Sequence, residues 1–249
     1  MITNKTLYLV EWLTLIQLIL LLSAIVGFYI LHFVLKIYTY KLNHTLHRID
    51  QLLIELIHEP QKLSNVTVCF FKHNVRELLQ CIVRLDATMP VLADWIITKQ
   101  RLSDLVLKPQ ARVLSRSRHW LKQYLAVLCY SYGVAAKDMD ILSNLVQSNT
   151  LLVSLNAAKV IFNHPTAASV NAVIDAFAQG RDVQQSLFAE VLISAHGHFN
   201  EELINPVIER LNVDQDPYVK AFCYRILVRS MPLNDIFMKM NAAQALEKL

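Results

Sequence analysis

The sequence predicts an all-α protein, with an N-terminal transmembrane helix followed by a right-handed α-solenoid of stacked helix pairs. Three observations lead there. Residues 7–35 form an almost unbroken apolar run, longer than the roughly 20 residues a helix needs to cross a bilayer core. Only four glycines occur, and no stretch alternates apolar and polar residues long enough for a strand ladder; Leu, Ile, Ala, Gln and Lys fill the long segments instead. From residue 116 onward, apolar positions return at offsets of 32 and 34 residues, the mark of a repeat whose units bury their faces only by stacking. In order, the chain divides into a short tail (1–6), the transmembrane helix (7–35), a juxtamembrane amphipathic helix (36–59), a helical region with a basic stretch (60–115) and a repeat domain (116–249).

In the apolar run, lipid would force the backbone to satisfy its hydrogen bonds internally, which leaves helix as the workable form. The run continues past Ser23-Ala24 without a clear cleavage site, and only Lys5 precedes it, so it reads as a retained anchor. On its C-terminal side stand Lys36, Lys41 and Arg48, against the lone Lys5. The positive-inside rule then places the N-terminus outside and the C-terminal domain in the cytoplasm. Tyr8, Trp12, Tyr38 and Tyr40 suit the two interfacial belts, and Gln17 and His32 are the polar candidates within the span.

No helix breaker occurs between this run and Pro60. Leu42, Leu46, Ile49, Leu53 and Leu56 step by four and three residues, and Leu52, Ile54 and Ile57 widen the stripe. Heptad spacing permits a two-stranded seam, hence a homo-oligomer. The wider stripe favours packing against a globular neighbour.

Helical blocks are expected at about 70–86, 90–107 and 116–132, punctuated by Pro90 and Pro109. Across the last two runs a basic stretch: Lys99, Arg101, Lys108, Arg112, Arg116, Arg118 and Lys122, with Asp104 the one carboxylate among them. It reads as a solvated helix face, as a contact for anionic lipid, or as a nucleic-acid surface. The aromatic interleaving that stacking on bases needs is missing apart from Trp120, which argues against the last. Residues 1–136 carry 15 Lys and Arg against 8 Asp and Glu, whereas residues 137–249 carry 9 against 12. The basic half is the one nearer the anchor, as anionic headgroups would require.

The repeat aligns Leu155, Ala157, Val160 and Ile161 with Leu187, Ala189, Leu192 and Ile193, and then with Ala221, Cys223, Ile226 and Leu227. Tyr124, Val127 and Leu128 fit a further copy upstream, and second helices are expected at 138–148, 166–179 and 200–212. The segment Asp214-Gln215-Asp216-Pro217-Tyr218-Val219-Lys220 resembles the opening of a HEAT repeat, with Asp216 placed to cap a helix, Pro217 in its first turn and Val219 pointing inward. Met238–Leu249 is similar to the first helix of another copy. The period is nearer the short bacterial HEAT-like form than the about 40–47 residues usual for HEAT and armadillo repeats. The resemblance covers residues 116–249 and implies an armadillo-like scaffold that binds a protein partner. Some HEAT-like proteins are lyases acting on bilin chromophores, and nothing in this sequence marks such a pocket.

The final copy starts only 19 residues after the one before it, so a second helix around Met231–Asn234 is shortened. The outer side of the last helix, with Phe237, Met240 and Ala243, is then the expected contact for a partner chain or a second copy. No phosphate-binding glycine loop, His-Glu-x-x-His or Gly-x-Ser-x-Gly occurs, so no catalytic, cofactor or metal residues are expected. His196-Gly197-His198 reads as a polar turn, because a metal at that spacing needs further ligands. Cys69, Cys81, Cys129 and Cys223 stand far apart in apolar settings and read as free core thiols, in keeping with a reducing compartment.

Overall fold

A computed structural model describes residues 4–89, 92–179, 182–194 and 201–230. The described residues are helices and short connections, with no strand among them. The chain divides into two compact units, residues 1–55 and 56–249.

The first unit is built on one helix, α1 (Asn4–His58), which runs on into the start of the second. At 1.5 Å per residue its 55 residues extend about 80 Å. From Trp12 to Lys41 every residue is exposed, although the run is apolar nearly all round. This one helix is long and apolar enough to cross a membrane. Its polar groups turn back on the backbone: Ser23 Oγ donates to Leu20 O at 2.8 Å, and Thr39 Oγ1 to Leu35 O at 2.7 Å. Further along, Ile49 and Leu53 are fully buried, but Ile54 is exposed. Of the three residues expected to widen the stripe, Ile57 is buried and Leu52 half-buried, and Ile54 alone turns outward.

The second unit takes in Leu56 and Ile57, both buried, so it begins ahead of residue 60. Thr98 Oγ1 fastens this start by donating to Leu56 O at 3.1 Å. Its first six helices are α2 (Asn65–His73), α3 (Val75–Thr88), α4 (Ala93–Leu102), α5 (Lys108–Ser115), α6 (Trp120–Tyr130) and α7 (Met139–Val146). After them come α8 (Leu151–Asn163), α9 (Ala167–Phe177), α10 (Asp182–Ser194), α11 (Glu201–Val213) and α12 (Pro217–Ser230).

From α6 onward the packing alternates. Helix α6 packs on α8, α8 on α10 and α10 on α12, while α7 packs on α9 and α9 on α11. Polar side chains set the helix starts. Ser64 Oγ accepts from Thr67 N at 3.2 Å, and Thr166 and Ser169 form a reciprocal capping box. Asp216 Oδ1 accepts from Tyr218 N at 2.8 Å, Pro217 opens α12, and Val219 is buried. The cap replaces hydrogen bonds that a helix start cannot make for itself.

Three further sequence expectations are revised. Pro109 does not end a helix: α4 runs through a π turn (Ser103–Leu107) directly into α5. Lys108 N reaches back to Ser103 O across this widened turn, which absorbs the backbone bond that proline cannot make. Gly133, at φ 145°, brings the chain close to the same turn; a Cβ there would meet Ser103 Oγ at 2.9 Å.

The first position of each repeat copy is not core. Leu187 is 56% exposed, while Ala189 and Leu192 beside it are buried. Gln185 is buried in that helix: its Nε2 donates to Ala178 O, left open at the end of α9, and its Oε1 accepts from Arg225.

Cys69 is exposed, unlike the other three thiols. Burial pushes the Cys129 and Cys223 thiols up to about 12.

Candidate functional site

Helix α3 turns Leu78, Leu79, Ile82 and Leu85 inward at helical spacing and keeps Arg76, Gln80 and Val83 on its flank. Helix α6 buries Ala126, Val127, Cys129 and Tyr130. Its other apolar residues, Leu121, Tyr124, Leu125 and Leu128, recur at i, i+3, i+4 and i+7, so they form a second stripe. Between the two helices this stripe meets Leu79, Gln80 and Val83, and an apolar groove of about 430 Å³ results. Val83 is 59% exposed and Leu121 39%. Arg76 also lines the groove and has no hydrogen-bond or ion-pair partner among the described residues. Such a surface can hold an apolar helix face and leave one cation for a carboxylate.

The basic stretch splits into two groups. Lys99 Nζ bonds Asp86 Oδ1 at 2.6 Å and lies 5.6 Å from the centre of the Trp95 ring. Trp95 Nε1 donates to the same Asp86 oxygen at 2.8 Å. Arg101 Nη2 donates to Gln61 Oε1 at 2.9 Å. Lys108 bonds Asp104 at 2.7 Å, and this hydrogen bond holds the Asp104 carboxyl below its usual range. Arg112 makes two bonds to Asp138, at 2.7 and 2.8 Å, and they raise its already high pKa.

Asp138 is only 1% exposed, so this paired geometry keeps a buried carboxylate satisfied. Beside it, burial first and then the Asp138 charge push the Tyr130 hydroxyl up. Lys99, Arg101 and Arg112 tie separate elements together, and Lys108 braces its own helical turn. Arg116, Arg118 and Lys122 remain exposed, with no side-chain partner among the described residues. Two of the seven, Lys99 and Arg112, are thus held in ion pairs with Asp86 and Asp138, which lie 13 and 26 residues away.

No family model, curated protein or solved structure matches the chain. The site therefore rests on its own geometry.

The expected partner residues Phe237, Met240 and Ala243 lie outside the described residues, as do His196 and His198. Sequence reasoning missed the groove by assigning Tyr124 and Leu128 to the repeat core, whereas both are half-buried and line it. A signal was present. Helix α6 has only Lys122 and Gln123 as strongly polar residues, and a helix apolar nearly all round needs more than one neighbour.

Proposed function

We propose that the chain is a membrane-anchored, HEAT-like helical scaffold that binds or positions a protein partner at the cytoplasmic face of a membrane. The α3–α6 groove carries the binding reading. Its apolar floor, its exposed edges and Arg76, unpartnered among the described residues, suit an amphipathic helix with an acidic residue beside its apolar face. The alternating packing of α6 to α12 supports a short α-solenoid, since each helix rests on its counterpart two positions away. The capped start of α12 supports the HEAT-like resemblance. The exposed apolar length of α1 supports the anchor, and Lys36, Lys41 and Arg48 support a cytoplasmic second unit.

A photo-crosslinking residue in place of Val83, in the full chain in its native membrane, tests the groove. A discrete protein adduct that disappears with Leu121→Glu is the expected result. Adducts unchanged by Leu121→Glu, or lipid adducts alone, would remove the groove as a protein site.

A further inference from the structure

The turn joining α5 to α6 has a chemistry that the groove does not use. Arg116, Arg118, Trp120 and Lys122 are all exposed within seven residues, and Trp120 is 46% accessible. Between Asp104 and Asp138 the sequence has no carboxylate, and those two are already held by Lys108 and Arg112. Local hydrogen bonds fix the turn. Ser117 N donates to Leu114 O at 3.1 Å, His119 N to Ser117 Oγ at 3.2 Å, and Gln123 Nε2 to Ser117 O at 3.0 Å. The cations are therefore displayed on ordered backbone.

We propose that this turn binds the anionic headgroup surface of a lipid bilayer, with Arg116, Arg118 and Lys122 meeting the phosphates and Trp120 lying at the interface. Charge complementarity is one argument, because each cation near such a surface favours binding roughly fivefold. The aromatic ring is another, since tryptophan joins an apolar body to a polar N–H and collects at the boundary between headgroups and acyl chains. The chain's own composition is a third: it carries a helix long and apolar enough to cross a bilayer. Tethering raises the local concentration of headgroups, so three cations suffice where they would be weak on a free protein. Single-stranded nucleic acid is a poorer fit, because successive bases need successive aromatic platforms and, among the described residues, the Trp120 ring meets only His119.

The test uses the full chain with Cys69→Ser and Val113→Cys, carrying a polarity-sensitive fluorophore at residue 113, one helical turn before Arg116. Val113 is exposed and Cys69 is the exposed native thiol, so labelling is directed to one site. The protein is placed in nanodiscs of phosphatidylcholine alone or mixed with phosphatidylserine. Emission should rise about twofold and shift to the blue only in the anionic discs, and added salt should reverse it. Arg116→Ser, Arg118→Ser and Lys122→Ser together should abolish the difference, while Trp120→Ala should leave only a smaller, salt-sensitive response. Equal emission in both discs, or an anionic response that survives the triple substitution, overturns the proposal. So does a response to single-stranded oligonucleotide with none to phosphatidylserine, which would assign the turn to nucleic acid.

Discussion

Helices α1 and α8 are both rich in Leu, Ile, Val and Ala, and their side chains meet opposite fates. In α1 the residues from Trp12 to Lys41 are exposed, whereas α8 buries Val153, Ala157, Ala158, Val160, Ile161 and Phe162. The difference lies in pattern. Helix α8 keeps Asn156 and Lys159 half-buried at its margin and packs against α6, α7 and α10, so water and core each receive one face. The Leu13–Leu35 run of α1 has no polar face to offer water, and it is long and apolar enough to cross a membrane. The basic stretch repeats the contrast in charge: Arg112 is bound to a buried carboxylate, and Arg118, six residues on, stands in solvent.

The sharpest way to break the first comparison is to put a carboxylate in each helix. Ala157→Asp places an unpaired charge where the residue is fully buried, and no cooperative unfolding transition should remain. Leu21→Asp should leave the thermal transition of the second unit unchanged in detergent, and lower the membrane-integrated fraction instead. Equal damage to the transition by both would mean that α1 is core.

The charge comparison gives the next largest effect. Arg112→Met strands the Asp138 carboxylate and should cost about 3–5 kcal/mol in a denaturant titration. Arg118→Met should change stability by less than about 0.5 kcal/mol. A comparable loss from both would show that Arg118 has a structural partner.

Alkaline pH probes the buried groups. Cys129 and Cys223 rise from 9.0 to about 12, and Tyr132 rises from 10.0 to about 12, each chiefly through burial. Raised folded values mean that the unfolded chain loses these protons first. The stabilisation is then complete below pH 9 and lost as pH rises toward 12. The denaturant midpoint should fall across that window, and Cys129→Ala with Cys223→Ala should flatten the fall. An unchanged slope would place those thiols in water.

The smallest stability effect belongs to the cap. Asp216→Ala removes the acceptor for Tyr218 N and should cost about 1 kcal/mol, with Asp216→Asn recovering most of it. A fall several times larger would mean that the residue also holds the α9 side, where Gln179 Nε2 donates to Asp216 Oδ2 at 3.0 Å.

The sequence alone determined the features that depend on neighbours along the chain. The all-helical class, the long apolar helix, and the start of α12 at Asp216-Pro217 come from periodicity, uninterrupted hydropathy and local capping, which act within a few turns of helix. Tertiary structure decided what depends on residues far apart. It paired Arg112 with Asp138 and Lys99 with Asp86, turned Gln185 inward and Leu187 outward, and set the second stripe of α6 beside α3 to make a groove. None of these has a fixed spacing to recognise. Whether a side chain is core, rim or free depends on which surface folds against it, and that partner lies tens of residues away in the chain.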